Sequence, residues 1–380
     1  MLPLLGTVPS FTHTSRSGRL RDVRVLSLRQ LHVRNLATER LRFEAGVTAV
    51  VGPNAAGKSN LLEALALGLG GSVGGARVAE SLRFGHDEGY VRVDVETQDG
   101  PHTVEVGLAP GRKVIRLDGH VVRAAEVARL GGVVLVAPDD VEVVHGPPSR
   151  RRAFLDHLLS RLSLRYALQL RAYQRVVDQR NALLRAGDPS GTSASWDARF
   201  VALGQELGAL RERAVTSLAT AAGGAYDRIA GGSHGFEVVL SRSHPELDLA
   251  AALAATREAE RSRGATLVGP HRDDLRLRLA DRALQAYGSR GEARTAALAL
   301  RVAERELLQA RHGEPPLLLI DDVNAELDVD RRRFLVTLAR SAPQALVTGT
   351  EVPAGADRVW RIAAGRIHPT EALVEVADGA

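Results

Sequence analysis

The chain has 380 residues, enough for one large or two ordinary domains with a substantial core, and its 44% hydrophobic and 25% charged content excludes a disordered polymer. It has no cysteine, which excludes disulfides, thiolate-held metals, iron–sulfur clusters and thiol catalysis, fits a reducing cytoplasm, and leaves metal chemistry to oxygen ligands. The formal charge is +5 and all but two of the 50 basic residues are arginine, so polyanions such as nucleic acid become candidate partners, while no apolar run approaches the ~18 residues of a membrane helix.

Residues 1–20 mix Pro, Ser, Thr and Gly without periodicity and predict a disordered extension; MLPLLGTVPSF carries no leading basic residue, against a secretory leader. From Val23 the sequence alternates, and VTAVV (47–51) reads as a buried strand. A glycine loop and then helical spacing from Leu61 to Leu69 follow it. YVRVDVET, HTVEVGLA and KVIRL, separated by QDG and APGR, predict an antiparallel meander, and VVLVAP (133–138) another buried strand. Residues 149–185 and about 195–230 read as helices parted by GDPSGTS. Strand signals resume with FEVVL (236–240) and a hairpin over 274–284. A helix from about Glu292 to Arg311 leads into PPLLLIDD, apolar enough for a central parallel strand.

Gly52-Pro-Asn-Ala-Ala-Gly-Lys58-Ser59 matches GxxxxGK[ST] with a strand before it and a helix after it, the context the motif requires. Backbone N–H groups of such a loop converge on phosphate oxygens, so Gly52, Asn54, Ala55, Ala56, Gly57, Lys58, Ser59 and Asn60 form the predicted nucleotide-binding set. Lys58 would meet the β and γ phosphates of ATP, and the Ser59 hydroxyl a Mg²⁺ ion. Asp321 and Asp322, ending the PPLLLI strand, supply the carboxylates: Asp321 for Mg²⁺, Asp322 as the general base beside Lys58 in catalysis. Related ATPases commonly carry Glu at the second position; the shorter Asp predicts slow hydrolysis.

Ser289-Arg-Gly291-Glu292 opens the helix before PPLLLIDD. Here the chain resembles the ABC-type ATPase superfamily, whose S-x-G-[EQ] signature sits one helix before the aspartate strand. The resemblance implies that Ser289, Gly291 and Glu292, with Asp328 of a D-loop-like Glu326-Leu327-Asp328, contact nucleotide held by a second copy. HVRNL (32–36), NLLEAL (60–65), APDDVEVVHGPPSRRRAFLD (137–156), YQRVVDQRN (173–181), LVGPHRDDL (267–275), GEARTAALAL (291–300) and DDVNAELD (321–328) narrow the resemblance to the RecF family of bacterial recombination ATPases, from about residue 21 to the C-terminus. The implied fold is α/β: an ABC-type head of mixed parallel and antiparallel sheets with a P-loop, residues 21–140 and 265–380, and an inserted all-helical second lobe, residues 141–264. The implied function is a slow, DNA-stimulated ATPase that dimerises on ATP, binds duplex or gapped DNA, and loads RecA with RecR and RecO. Arg34 and Asn35 would approach the nucleotide, although HVRN departs from the family's aromatic-led FRN. Thr348 stands where many ABC enzymes place a switch histidine.

The helical arm offers a DNA surface independently of any resemblance. Between Ser149 and Arg185 nine arginines face only Asp156 and Asp178. Read as one helix, Arg150, Arg161, Arg165, Arg171, Arg175 and Arg185 lie opposite Leu155, Leu158, Leu159, Leu162, Tyr166, Tyr173 and Val177, a face that could track phosphates. Scarce aromatics, 4%, favour duplex over single strands. The competing readings are a transporter-type ATPase subunit with a membrane partner, a coiled-coil tether, for which sustained heptads are missing, and an ATP-gated DNA clamp with negligible hydrolysis. Gly231-Gly-Ser233-His-Gly235 fits G-x-S-x-G in the reverse of the strand-turn-helix order a nucleophile elbow needs, and GLGGSVG (68–74) ends a helix where a dinucleotide fingerprint follows a strand. His271, Arg272, Asp273 and Asp274 lack metal-ligand spacing and read as a structural hydrogen-bond network.

Overall fold

The computed structural model describes residues 23–71, 78–130, 132–187, 193–322 and 328–369. Strands β1 (Arg24–Leu31), β2 (Arg40–Arg42) and β3 (Gly46–Val51) lead into helix α1 (Lys58–Gly68), then β4 (Gly89–Thr97), β5 (Gly100–Ala109), β6 (Arg112–Leu117) and β7 (His120–Val122). After α2 (Ala124–Val127) and β8 (Val133–Val136) come α3 (Glu142–His145), α4 (Pro148–Leu162), α5 (Leu164–Arg185) and α6 (Ser193–Ala230). The chain continues through β9 (Phe236–Ser241), α7 (Leu249–Arg263), β10 (Asp274–Leu279), β11 (Arg282–Ala283), α8 (Leu284–Tyr287) and α9 (Arg290–His312). It closes with β12 (Leu317–Ile320), α10 (Val329–Arg340), β13 (Gln344–Gly349), β14 (Arg358–Ala363) and β15 (Arg366–Pro369).

Two six-stranded sheets build the head. One is antiparallel, ordered β2-β1-β4-β5-β6-β7. Along β4 Val91, Val93 and Val95 are buried while Tyr90, Arg92, Asp94 and Glu96 between and beside them are half-buried, the pattern of a sheet with one face on the core. The other sheet, β15-β14-β3-β13-β12-β8, is parallel except at β15. Every residue of β12 and β13 is buried, because a parallel sheet is covered on both faces and needs a continuous apolar run. Helix α1 lies between the sheets: Leu61, Leu62 and Leu65 share a cluster with Val91 and Val93 of one sheet and Leu317 and Leu319 of the other. The opposite face of β12, Leu318 and Ile320, packs in a second cluster with α9 and helices α4 to α7.

That second cluster runs without interruption from the parallel sheet into the helical segment, so the insert shares its core with the head. The insert is helical apart from β9, which pairs antiparallel with β10 from Asp274↔Ser241 to Leu279↔Phe236. The hairpin β10–β11 and the meander β4–β6 form where the alternation predicts them. Residues 149–185 do not form one helix. Ser163 leaves the helical region at φ −148° and caps α5, its hydroxyl oxygen accepting from the Tyr166 N–H. Among the described residues no helix is long and apolar enough to cross a membrane.

Candidate functional site

The loop between β3 and α1 has the backbone of a phosphate cradle. Gly57 takes φ +112° and Ala55 φ +62°. A Cβ at Gly57 would lie 2.8 Å from Asn35 Oδ1, and one at Gly52 2.2 Å from the Ile362 carbonyl oxygen, so both positions require glycine. Lys58 is buried, and its Nζ donates to the carbonyls of Gly52 (2.8 Å) and Pro53 (3.0 Å). The ammonium thus lies folded against its own loop. No side chain caps the N-terminus of α1 and no acidic residue occupies its first turn, which leaves the N–H groups and the positive end of the helix for an anion.

A cavity of about 260 Å³ opens over this loop, lined by Asn54, Ala55, Gly57, Lys58, Ser59, Asn60, Asp321 and Asp322. The phosphate-loop lysine and serine therefore face the carboxylates that end β12, although 263 positions separate Lys58 from Asp321. Gly52 and Ala56 stand behind the cavity. Gly52 contributes the carbonyl that holds Lys58, and Ala56 is buried. Asn35 reaches the loop, donating to the Ala55 carbonyl at 3.2 Å and accepting from Asn60 Nδ2 at 2.8 Å. Arg34 turns away from the cavity. Its Nε lies 2.6 Å from Glu63, whose carboxyl burial pushes up while Arg34 pulls it down.

Thr348, from the neighbouring strand β13, sets the acid pair. Its hydroxyl donates to Asp321 Oδ1 at 2.6 Å and accepts from the Asp322 N–H at 2.8 Å. Asp322 needs that hold: it adopts φ +49°, a left-handed conformation that costs a non-glycine residue about 1–3 kcal/mol. Thr348 is fully buried, so it positions the acids and does not line the cavity. Ser59 and Asp321 offer a hydroxyl and a carboxylate to the same space, hard oxygen donors suited to Mg²⁺. Among the described residues no group of three or more His, Asp or Glu could hold a metal ion alone. An ion here would complete its shell with phosphate and water oxygens, as Mg²⁺ commonly does.

Ser289 caps α9 in a capping box: its Oγ accepts from the Glu292 N–H at 3.2 Å, and Glu292 accepts from the Ser289 N–H at 2.7 Å. These bonds hold the Glu292 carboxyl below its ordinary value. Ser289 is exposed and does not line the Lys58 cavity of its own chain. Asp328 caps α10, while Glu326 and Leu327 lie outside the described residues. Arg331, which nothing in the motif patterns marks, joins these parts. Its guanidinium bonds Asp328 at 2.6 Å, Thr295 Oγ1 at 2.8 Å and the Gly291 carbonyl at 3.0 Å, tying the start of α10 to the first turns of α9.

The arm arginines divide. Arg161 is buried, donating to Glu304 at 2.6 Å and to the Val133 carbonyl, so it is a structural cation and leaves the predicted DNA face. The break at Ser163 also ends the single continuous stripe. Arg150, Arg171 and Arg175 remain exposed, and Arg165 is exposed but paired with Glu206. The His271–Asp274 segment is the network expected of it: Tyr173 Oη meets His271 Nδ1 at 2.8 Å, Asp274 takes both ends of the Arg151 fork, and Asp273 accepts from the Ser243 N–H. Gly231–Gly235 follows α6 and precedes β9, which rules out a nucleophile elbow.

The sequence matches the family described as RecF/RecN/SMC N terminal domain over residues 24–362. A curated relative, the DNA replication and repair protein RecF of Deinococcus radiodurans, is 47% identical over 358 residues, covering 94% of this chain and 99% of its own. A solved structure of the recombination mediator protein RecF-ATP in the RecFOR pathway superposes with a TM-score of 0.87 at 27% identity, covering 94% of this chain and 100% of that one. The Smc head domain from Pyrococcus furiosus superposes at 0.53 with 16% identity over 92% of this chain and 96% of its own, a likeness of fold.

Proposed function

Because the chain belongs to the RecF family of DNA replication and repair ATPases, we propose that it binds ATP with Mg²⁺ in the Lys58–Asp322 cavity, dimerises on it and hydrolyses it slowly. One observation carries this reading: a single cavity holds the phosphate loop, Lys58 and Ser59, together with Asp321 and Asp322. The loop N–H groups and the start of α1 would take the phosphates. Lys58 would exchange its two loop carbonyls for β- and γ-phosphate oxygens. Ser59 and Asp321 would hold Mg²⁺, which when bound neutralises phosphate charge. Asp322 would accept the proton of the attacking water. Asn35 would brace the loop through Ala55 and Asn60.

Ser289 and the free N–H groups of α9 belong, in this reading, to the site of a second copy. Their exposure and their absence from the cavity of their own chain support it. Duplex or gap-junction DNA, and RecR with RecO in loading RecA, are proposed as partners on the strength of the related proteins' roles in DNA repair and the RecFOR pathway. Single-turnover ATP hydrolysis with and without duplex DNA tests the reading. Lys58→Ala should lose ATP binding, and Asp322→Asn should keep it while hydrolysis falls about 100-fold or more. Equal hydrolysis by the wild type and Asp322→Asn would remove Asp322 as the general base, and negligible wild-type hydrolysis with and without DNA would leave an ATP-gated clamp.

A further inference from the structure

The outward face of the antiparallel sheet carries a charge pattern that stability alone does not favour. The strand register sets Arg40, Arg29, Arg92, Glu105, Arg116 and Val121 in one row across all six strands, each directly opposite the next. Three arginines thus stand side by side at one end. Like charges directly opposite across strands are destabilising, and a sheet face kept only for solubility alternates its signs. The neighbouring carboxylates are committed. Asp94 serves both Arg92 (3.0 Å) and Arg40 (3.5 Å) and also accepts from Ser27 and Thr103; Glu105 accepts from the Tyr90 hydroxyl. Among the described residues Arg29 and Arg116 make no ion pair, and both are exposed.

We propose that this arginine row is a binding surface for the phosphate backbone of duplex DNA. The inference rests on the DNA-binding reading above and assigns the surface. Neighbouring strands lie about 4.8 Å apart, so the four steps from Arg40 to Arg116 span about 19 Å. Over that length one strand of a duplex presents phosphates every ~3.4 Å of axis, several within reach of long guanidinium side chains. Arginine forks suit phosphate oxygens, and Arg29 and Arg116, which no carboxylate among the described residues neutralises, gain by releasing counterions from the duplex. The aromatic nearest the row, Tyr90, is tied through its hydroxyl to Glu105, so the face offers no stacking platform for unpaired bases. Strand β1, which carries Arg29, leads into the segment that holds Asn35, which bonds the phosphate loop at Ala55.

The test is fluorescence anisotropy of a labelled 30-base-pair duplex with the full chain, ATP analogue and Mg²⁺, across a salt series. Arg29→Gln/Arg116→Gln should weaken binding at least about tenfold and lower the slope of log affinity against log salt by about 2, at ~0.9 per lost phosphate contact. Nucleotide affinity, measured on the same samples, should not change and reports that the variant is folded. Arg171→Gln/Arg175→Gln on α5 is the comparison arm. An unchanged slope and affinity in the sheet variant overturns the assignment, including the case where the face proves to bind a protein. Failure of the wild type to bind the duplex at all overturns both this surface and the DNA-binding reading beneath it.

Discussion

Thr348 makes two hydrogen bonds with one hydroxyl, and both end on the acid pair. It fixes the Asp321 carboxylate through Oδ1 and the Asp322 backbone through its N–H, so the left-handed turn at Asp322 is held from β13. A switch histidine is the expectation for this strand end in many ABC enzymes; here a buried threonine orients the acid pair from behind. Thr348→Val keeps the shape and removes the hydroxyl. Losing a buried partner costs about 1–3 kcal/mol, so hydrolysis should slow by about tenfold to a hundredfold. The phosphate loop is untouched, and ATP affinity should stay within about threefold of the wild type. Single-turnover rates beside nucleotide titrations separate the two quantities, and a Thr348→Ser variant should recover most of the rate. A fall in affinity as large as the fall in rate would mean that Thr348 supports the whole loop.

Helices α4 and α9 meet through charge inside the core. Arg161 on α4 and Arg301 on α9 both bind Glu304, and Arg301 continues to Asp140 at 2.6 Å, joining the turn after β8 to the signature helix. His157 sits among these charges on α4, its Nε2 buried without a partner. Burial, then the Arg161 cation, pushes its pKa down to about 4, against the pull of Glu304. His271 is likewise held near 4 by burial. Both histidines therefore fold neutral, and the unfolded chain binds the extra protons. Their stability is complete above the unfolded value near 6.5 and is lost as pH falls from there toward 4, about 2 kcal/mol each by pH 5. Thermal melts between pH 7.5 and 5 should show the loss, and His157→Leu should make the curve shallower; an unchanged slope would show that His157 is protonated in the fold. Nothing local in the sequence exposes this arrangement. The phosphate loop and PPLLLIDD are legible because their chemistry and burial are written in eight consecutive residues, strand before and helix after. Arg161 reads as a surface cation because a helical wheel assumes one unbroken helix, and Ser163 resets the phase. Its partner Glu304 is 143 positions away, beyond any window. The hold of Thr348 on the acid pair and the bonds of Arg331 to Thr295 and Gly291 escape for the same reason: those partners arrive through tertiary packing.

At the scale of the whole molecule the phosphate loop and the Ser289 motif do not share one cavity. Lys58, Ser59 and the acid pair share one cavity; exposed Ser289 lies outside it, capping a helix that Arg331 ties to Asp328. If both halves must touch one triphosphate, two chains supply each site and a symmetric dimer holds two such sites. That arrangement makes a prediction no single-chain site can satisfy. Lys58→Ala lacks the phosphate half and Ser289→Arg lacks the signature half, so each alone should stay monomeric with ATP and hydrolyse almost none. Ser289→Arg should still bind nucleotide, because its own loop is intact. Mixed in equal amounts, the two variants can form a heterodimer in which one site takes Lys58 from the Ser289→Arg chain and Ser289 from the Lys58→Ala chain. Because neither variant pairs with itself, every dimer in the mixture is a heterodimer with one complete site of two, so full pairing would restore about half of the wild-type sites, and light scattering should show dimers that neither variant forms alone. Activity in the mixture no greater than the sum of its parts, with scattering that stays monomeric, would place the complete site within one chain and separate hydrolysis from assembly.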